Sequence, residues 1–293
     1  MKVLITGING FVGKYLSDLL TSLSYDVWGI DVESTSNKIF KADILNEKKI
    51  NEIINQVSPD FVMHLAAIAY VDQPNKSQIY DVNIKGTINV LNACIRLKQK
   101  PRFIFTSSSL VYGNVNKDYL PIDESFPIEP VNHYGASKAA AELAVKTFYY
   151  EYNLEYVIFR SFNSIGLGQS NNFVVPKIVN AFKRGDKSIA LGNIDTIRDF
   201  TDVRDVVKAY ASVLNNFNNG RIYNVASNKG ITIKEIIEKI KEITGKNIKI
   251  EKKTFLVRKS EIQASIGVAN KIMNETGWKP SYNLDDTLKS MLK

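Results

Sequence analysis

What is scarce in this 293-residue chain already excludes several classes of protein. A single cysteine, Cys94, excludes an intrachain disulfide and is typical of a reducing compartment. Two histidines, His64 and His133, are too few for a histidine-rich metal site, so we expect no metal. No apolar run reaches the roughly 20 residues of a membrane-spanning helix, and the run before Thr6 is too short for a signal peptide. The sequence therefore predicts a cytoplasmic protein that contacts no membrane.

Positive charge is in excess but is not concentrated. The net charge is +8, and the one denser basic stretch runs from Lys246 to Lys259. Nucleic-acid binding would need a clustered basic face or a known motif, and we find neither. We therefore expect no nucleic-acid partner. A spread surplus is typical of a solvated surface and would also suit a substrate that carries a pyrophosphate.

The first thirty residues have the pattern of a dinucleotide-binding unit. The apolar run Val3-Leu-Ile5 is typical of a buried parallel strand, and Gly7, Gly10 and Gly13 follow it into a helix. Glycines let the backbone approach a ligand, and a helix N-terminus offers N–H groups to a pyrophosphate. The same turn could form without a ligand, but its place directly after the first strand favours a dinucleotide. Asp31 ends the next predicted strand, where a carboxylate binds a ribose 2′-hydroxyl and repels a 2′-phosphate, so we predict NAD(H) over NADP(H).

Strand and helix patterns alternate along the rest of the chain, which predicts an α/β fold with a Rossmann-type doubly wound parallel sheet. Further strands are predicted at 26–30, 61–65, 102–107, 155–161 and 222–225, with helices near 46–57, 79–98, 134–152, 202–214 and 232–244 and another starting at Pro176. Small residues at Ala66-Ala67 would let a flat ligand lie on the backbone, and Asp43 is a candidate adenine contact. His64 lies in an apolar run and is predicted to be a core residue.

The composition changes at residue 164, where glycine, asparagine and serine become frequent. We predict two domains built from interleaved segments. Residues 1–163 plus 201–226 would bind the dinucleotide. Residues 164–200 plus 227–293 would form a smaller α/β domain for the substrate.

Tyr134 and Lys138 give the sharpest chemical signal. They are four residues apart at the start of a predicted helix and so share one face. A free tyrosine has a pKa of about 10, and a nearby ammonium lowers it by stabilising the phenolate. A hydroxyl from the Ser107–Ser109 run could bind the same substrate oxygen. An exposed lysine on an amphipathic helix would give the same spacing, but the order of glycine turn, strand-end serines and Tyr-x-x-x-Lys favours proton transfer beside a nicotinamide.

At these motifs the sequence resembles the extended short-chain dehydrogenase/reductases (the NAD-dependent epimerase/dehydratase family) over essentially its whole length. The resemblance rests on Thr6-Gly-Ile-Asn-Gly-Phe-Val-Gly13, His64-Leu-Ala-Ala67, Ser107-Ser-Ser-Leu-Val-Tyr-Gly113, Tyr134-Gly-Ala-Ser-Lys138 and Arg160-Ser-Phe-Asn163. It implies a catalytic set of Ser108, Tyr134 and Lys138, with Ser109 as the alternative serine. It also implies a homodimer that packs the 79–98 helix and the helix after Tyr134 against their symmetry mates.

The contacts expected with this resemblance fall into two groups. Cofactor contacts are expected at Gly7, Asn9, Gly10, Phe11, Val12, Gly13, Asp31, Asp43, Ile44, Leu65, Ala66, Ala67, Tyr134 and Lys138. Contacts to a nucleotide-diphosphate sugar are expected at Ser108, Ser109, Asn163, Val175, Lys177, Asn193, Arg198, Arg258 and Glu261. Arg198 would bind the pyrophosphate, and Arg258 with Glu261 would hold the nucleotide, since guanidinium and carboxylate groups suit phosphate and ribose.

The second half looks most like GDP-mannose 4,6-dehydratases and GDP-4-keto-6-deoxymannose reductases. The dehydratases need an acidic residue two positions after the catalytic serine, where this chain has Leu110. The resemblance therefore favours a reductase that uses NAD(P)H on the C4 ketone of a nucleotide-linked 4-keto-6-deoxyhexose, with GDP-4-keto-6-deoxymannose to GDP-D-rhamnose as the best substrate assignment. Asp31 keeps an NAD-dependent nucleotide-sugar 4-epimerase open. A non-catalytic dinucleotide sensor is a further alternative, disfavoured by the intact Ser/Tyr/Lys set.

Overall fold

A seven-stranded parallel sheet forms the centre of the computed structural model, which describes residues 1–33, 36–257 and 260–293. The strand order is β10-β6-β5-β4-β1-β2-β3. The strands are β1 (Lys2–Thr6), β2 (Asp26–Asp31), β3 (Ile39–Lys41), β4 (Phe61–His64), β5 (Arg102–Ser108), β6 (Tyr156–Ser161) and β10 (Arg221–Val225). The sequence order reverses next to β1, which places a ligand crevice at the carboxyl ends of the central strands. The predicted Rossmann-type α/β fold is confirmed.

Helices cover both faces of this sheet because their apolar stripes match its two faces. Helices α1 (Phe11–Ser22) and α7 (Val203–Asn215) share one core with side chains such as Ile5 and Phe159. On the other face, α2 (Glu47–Val57), α4 (Thr87–Ile95) and α5 (His133–Tyr152) pack around Leu4 and Phe105. Helix α2 is capped at its N-terminus, where the Asn46 side chain accepts a hydrogen bond from Lys49 N.

The predicted helix over 79–98 is instead three consecutive pieces. Helix α3 (Lys76–Tyr80) leads into a π-helical segment (Asp81–Gly86), and α4 follows directly. The buried Asn83 side chain accepts a hydrogen bond from Ile68 N at 2.8 Å and donates to Ser137 Oγ at 2.9 Å. The wider π turn accompanies these long-range bonds, which no local sequence pattern encodes.

A second, smaller layer is built from segments inserted into and appended to the first, and it has its own apolar core. Its strands are β7 (Asn163–Ile165), β8 (Ser188–Leu191), β9 (Ile197–Asp202), β11 (Gly230–Thr232), β12 (Lys249–Lys252) and β13 (Ala264–Ser265). Its helices include α6 (Val174–Arg184), α8 (Ile233–Thr244) and α10 (Leu284–Leu292), with α9 (Asn270–Thr276) beside β10. Helix α6 starts two residues before the predicted Pro176. The core of this layer includes Phe182, Ile236 and Leu288.

Helix α8 begins with a capping box, since Thr232 Oγ1 accepts from Glu235 N and the Glu235 carboxylate accepts from Thr232 N. Strand β9 crosses the domain boundary predicted at 200/201, and the boundaries themselves stay a prediction.

Two findings concern what the described residues do not form. In the described ranges no helix combines the length and the apolar character needed to cross a bilayer. Over the same part of the chain, no group of three or more His, Cys, Asp or Glu side chains is arranged to hold a metal ion.

Candidate active site

The turn between β1 and α1 is shaped by glycines, two of which, Gly7 and Gly13, leave no room for a larger residue. Gly7 has φ +72°, and a Cβ added there would lie 2.9 Å from Ala66 N. A Cβ at Gly13 would lie 2.2 Å from Gly7 O, so α1 packs directly on the turn. Gly10 is the N-cap and offers no side chain to the first N–H groups of α1. Those N–H groups can therefore serve an anionic ligand, as a dinucleotide pyrophosphate requires.

Asp31 lies beside this turn at the end of β2. Its Oδ2 accepts a hydrogen bond from Asn9 N at 2.9 Å, and the Asn9 amide donates to Glu33 O at 2.7 Å. These two bonds hold a half-buried carboxylate against the glycine turn. The glycine cradle and this carboxylate together fit a dinucleotide with a free ribose 2′-hydroxyl.

The other predicted cofactor contacts surround the same crevice. Leu65 and Ala66 follow β4, and their N–H groups donate to Thr6 O at 3.1 Å and Thr6 Oγ1 at 3.2 Å. Asp43 is exposed. The Ile44 side chain is buried beside Gly86, so it would meet a ligand through its backbone alone.

His64 is a satisfied core residue, as predicted. Its Nδ1 lies 2.6 Å from Thr6 Oγ1 and its Nε2 lies 3.0 Å from Thr87 Oγ1. The Thr6 hydroxyl accepts from Ala66 N and the Thr87 hydroxyl donates to Asn83 O, which assigns the Nε2–H tautomer. Burial, helped by the Lys138 charge, lowers the pKa of His64 to about 3, so the ring is neutral.

The three predicted catalytic residues come from β5 and the start of α5. Ser108 ends β5, and Asn132 caps α5 by accepting from Gly135 N at 2.8 Å. The Ser108 hydroxyl lies near the half-buried Tyr134 phenol and acts to lower its pKa. Lys138, one turn further on, is buried and donates to Thr106 O at 2.7 Å. The structure thus brings Ser108 and Tyr134 near each other, with Lys138 one turn further along the helix that carries Tyr134.

Burial shifts both titrating groups toward their neutral forms. It raises the pKa of Tyr134 to about 12, while the Ser108 hydroxyl opposes the shift. Burial lowers the pKa of Lys138 to about 7, and the Glu142 carboxylate opposes this shift. Near neutral pH the phenol is therefore a proton donor, and the lysine lies close to its titration midpoint.

Sequence reasoning missed the residue that ties α5 to the loop after β4. Asn83 donates to Ser137 Oγ and bonds both backbone groups of Ile68, while Ser137 Oγ donates to Tyr134 O at 2.7 Å. This chain of bonds fixes the first turn of α5. The only sequence signal was an asparagine inside a predicted helix, three residues before Gly86, and this signal is weak.

The predicted substrate residues gather around β9. Asn163 is exposed and pairs opposite Phe200 of β9, while Arg198 of β9 donates to Ile197 O at 2.8 Å and Ile262 O at 2.7 Å. Glu261 adjoins Ile262, and its buried Oε2 has no hydrogen-bond partner among the described residues. A guanidinium held by backbone carbonyls and a nearby uncompensated carboxylate oxygen suit a polar ligand. Arg258 lies outside the described residues.

The remaining predicted substrate contacts are placed less directly. The Val175 side chain belongs to the core, so only its backbone at the N-terminus of α6 could meet a ligand. The Lys177 ammonium donates to Ala190 O at 2.9 Å, and Asn193 Oδ1 accepts from Asp195 N at 3.0 Å. Ser109 is buried next to Ser108.

Comparison with known proteins gives the same family. The family model described as GDP-mannose 4,6 dehydratase matches residues 4–291. The GDP-6-deoxy-D-talose 4-dehydrogenase of Aggregatibacter actinomycetemcomitans is 34% identical over 94% of this chain and 92% of its own length. The GDP-6-deoxy-D-mannose reductase of Pseudomonas aeruginosa is 30% identical over 99% of this chain and 96% of its own length.

Solved structures share the fold over almost the entire length. RMD from Pseudomonas aeruginosa, complexed with NADPH, superposes with a TM-score of 0.89 at 30% identity and covers 99% of this chain and 97% of its own. The UDP-glucose 4-epimerase of Thermotoga maritima with UDP-glucose gives 0.92 at 28% identity, covering 100% and 97%. The glycine turn, the strand-end serine and the Tyr-Lys helix thus lie in a fold shared by nicotinamide-dependent and nucleotide-sugar proteins.

Proposed function

The chain belongs to the GDP-mannose 4,6-dehydratase family of the extended short-chain dehydrogenase/reductases, NAD(P)-dependent enzymes of nucleotide sugars, and we propose that it is a 4-ketoreductase. Its substrate is a nucleotide-linked 4-keto-6-deoxyhexose, best assigned as GDP-4-keto-6-deoxymannose, and its product is GDP-D-rhamnose. The names of the two curated relatives, both acting on GDP-linked 6-deoxyhexoses, support this substrate class.

The observation that carries the proposal is the placement of the Ser108 hydroxyl near the Tyr134 phenol, with Leu110 two positions after Ser108. The Ser108 hydroxyl binds the C4 oxygen, and the Tyr134 phenol gives its proton to that oxygen as alkoxide character develops. The nicotinamide dinucleotide, when bound, supplies the hydride. Leu110 donates its N–H to Ser108 Oγ at 3.2 Å, and its side chain has no group that moves a proton. The acidic side chain that loss of water requires is therefore missing, whereas the groups that reduction of the ketone requires are present.

The ammonium of Lys138 matters because it lowers the energy of the phenolate that Tyr134 leaves behind. In the structure its cationic form is opposed by burial and favoured by Glu142. Tyr134 must regain a proton before the next turnover, and one helical turn separates it from this cation. The pair therefore works as one acid.

Substrate binding is assigned to the groups around β9. Arg198 holds the pyrophosphate, since two backbone carbonyls fix its guanidinium. Glu261 accepts ribose hydroxyls through its unpaired oxygen, together with Arg258. Asn163, exposed at the start of β7, contacts the sugar.

We assign NADH as the preferred cofactor because the Asp31 carboxylate, held by Asn9 N, would repel a 2′-phosphate. A solved relative of the same family is complexed with NADPH, so the cofactor preference of this chain is tested separately.

We also propose a homodimer. Leu143 and Tyr150 are exposed seven residues apart on α5, an apolar stripe that a second copy would cover.

A nucleotide-sugar 4-epimerase is the second candidate, favoured by Asp31 and by the likeness to the Thermotoga maritima epimerase. An epimerase oxidises and re-reduces the same carbon, so it needs no external reductant. A dinucleotide sensor on this fold would need the residues that cradle the cofactor, but it would not need Ser108 beside Tyr134.

The deciding experiment offers the purified protein a panel of GDP-, dTDP- and UDP-linked 4-keto-6-deoxy sugars with NADH or NADPH. Mass spectrometry of the products is the readout. We expect a gain of about two mass units on the GDP sugar, faster with NADH, since hydride and proton add to one ketone. An isomer of unchanged mass formed from fully hydroxylated sugars without reductant would replace the proposal by the epimerase. A dehydrated product from GDP-mannose would overturn the argument from Leu110.

A further inference from the structure

A second set of three polar side chains lies directly behind the catalytic set, on neighbouring positions of the same elements. Ser107 precedes Ser108 on β5, Glu142 follows Lys138 by one turn of α5, and Arg160 comes from β6. All three side chains are buried, with exposed fractions of 5%, 0% and 2%. A buried ion pair is costly unless well partnered, so the contacts of this group decide what it does.

Glu142 is held from two sides. Ser107 Oγ donates to Glu142 Oε1 at 2.5 Å, and the Arg160 guanidinium reaches both carboxylate oxygens at 2.8 to 3.3 Å. The guanidinium is in turn fixed by Tyr112 Oη at 3.1 Å, which donates to Asn224 Oδ1 at 2.7 Å. These bonds lock the carboxyl end of β5, where Ser108 lies, to the helix that carries Tyr134 and Lys138.

Glu142 is the one anionic neighbour that acts on the buried ammonium of Lys138 among the described residues. Helix α5, which carries Lys138 and Glu142, also carries the Tyr134 phenol. Strand β5 carries the Thr106 carbonyl, which accepts from Lys138, and the Ser107 hydroxyl, which donates to Glu142. Other titratable or charged groups near α5 are neutral His64 on β4, Cys94 on α4, Arg102 on β5, Tyr112 on the turn after β5, Tyr156 and Arg160 on β6, Lys76 and Tyr80 on α3, and the exposed Asp81 and Lys85 on the π-helical segment. Arg160 is paired with Glu142, and Glu142 lies one helical turn beyond Lys138 on the same helix.

We propose that Glu142, oriented by Ser107 and Arg160, is a positioning residue that favours the ammonium form of Lys138. It does so through its charge and by fixing α5 against the end of β5. The consequence for turnover rests on the proposed function, because an ammonium is needed only if Tyr134 must give up a proton. The effect on Lys138 itself does not depend on the substrate.

The test measures the pKa of Lys138 directly in Glu142→Gln, by NMR titration of lysine side chains labelled at Cε, with Lys138→Arg used for assignment. We expect a fall of about one unit, a tenfold loss of proton affinity, because side chains four apart on a helix are neighbours and an opposite charge within about 4–6 Å shifts a pKa by ~1–3 units. Glu155→Gln is the matched control, since it removes the same charge from an exposed pair with Arg102 and should leave Lys138 unchanged. An unchanged Lys138 pKa in Glu142→Gln would overturn the proposal.

Glu142→Gln leaves a buried guanidinium without its anion and could fail to fold. The double variant Glu142→Gln, Arg160→Met removes both charges. There we expect a smaller fall in the same direction, whereas a rise or no change would contradict the proposal. Glu142→Asp keeps the charge and should restore the pKa of Lys138 toward the wild-type value.

Turnover provides the second readout. In Glu142→Gln the alkaline limb of the pH–kcat profile should move to lower pH, since Lys138 loses its proton earlier. A merely structural role would lower kcat at every pH without moving that limb. If wild type reduces no keto sugar, the proposed function fails, while the NMR result still decides the role of Glu142.

Discussion

At the residue scale, removal of the Tyr134 hydroxyl should separate cofactor binding from the chemical step. Tyr134→Phe keeps the aromatic ring and removes only the hydroxyl near Ser108. We expect kcat to fall about 10²–10⁴-fold. Cofactor affinity should change by no more than one hydrogen bond is worth, ~0.5–1.5 kcal/mol. Tyr119→Phe, at an exposed position outside α5, is the control for both measurements. Near-normal turnover in Tyr134→Phe would remove this residue from the mechanism.

The buried position of Lys138, which we assign to catalysis, lowers the stability of the fold at neutral pH. Its folded pKa of about 7 lies below the ordinary 10.5, so between these values the unfolded chain binds the extra proton. The stability contribution of this group therefore rises with pH from about 7 to 10.5. Lys138→Met removes that dependence, so its gain in Tm over wild type should be larger at pH 6 than at pH 9. Lys146→Met, on the same helix, should show no such difference. An equal Tm difference at both pH values would contradict the buried-charge argument.

We propose that Asp31 sets the preference of the crevice between NADH and NADPH. Asp31→Ala removes the carboxylate that Asn9 N holds beside the glycine turn, and with it the repulsion of a 2′-phosphate. We expect the ratio of kcat/KM for NADH over NADPH to fall by about tenfold or more, the effect of ~1.4 kcal/mol. Asp26→Ala, at the opposite end of β2, removes an exposed carboxylate paired with Lys38 and should leave the ratio unchanged. A ratio unaltered by Asp31→Ala would refute our interpretation of this residue.

At the scale of elements, the β1–α1 turn separates two kinds of glycine. A Cβ at Gly13 would press on Gly7 O and Ile8 O at 2.2 and 2.7 Å, so Gly13→Ala should destabilise the whole fold. A Cβ at Gly10 meets only Gly7 O, at 3.1 Å, and otherwise projects into open space. Gly10→Ala should keep Tm within a few degrees yet weaken dinucleotide binding, measured by calorimetry. Equal losses of stability in the two variants would contradict this distinction.

Elements whose signals are local were predictable. The central strands are short apolar runs with turn residues after them, and helix caps such as Asn46 and Thr232 need only their next three residues. The same holds for the glycine turn, Asp31 and the Tyr134–Lys138 spacing. The pairing of Ser108 with Tyr134 followed from strand ends meeting helix starts at one edge of a parallel sheet.

Elements that depend on distant partners were not predictable. Strand β3 has three residues and exists because it pairs with β2, while β8 and β12 pair across about sixty residues. The π-helical segment follows from Asn83 reaching Ser137, 54 positions away. Glu142 gave no signal beyond its place four residues after Lys138, since Arg160 and Ser107 become its partners only in the folded sheet.

At the scale of the whole molecule, the two layers divide the work. The seven-stranded sheet carries the proposed dinucleotide cradle and the proposed catalytic residues, and the β9 layer carries the groups that we assign to the nucleotide sugar. Asp205 of α7 ties the C-terminal segment to the sheet by accepting from Ser281 N and Tyr282 N, at 2.7 and 2.8 Å. The interleaved layers thus share helix α7, and a cut at the predicted boundary after residue 226 would separate Asp205 from these partners.

The assembly prediction concerns the outer face of α5. Leu143 and Tyr150 are 60% and 79% exposed on a helix whose opposite side carries Lys138 and Glu142 into the core. If a second copy covers this stripe, Leu143→Glu places a charge in an apolar interface and should convert the dimer to a monomer in light scattering coupled to gel filtration. Leu23→Glu puts the same charge on an exposed leucine at the end of α1, 53% exposed, and should leave the mass unchanged. Tyr134 and Lys138 lie on the same helix, so loss of the partner should lower Tm and, by loosening α5, reduce kcat more than KM. A wild-type protein that is monomeric at micromolar concentration would contradict the assembly and leave the active-site assignment intact.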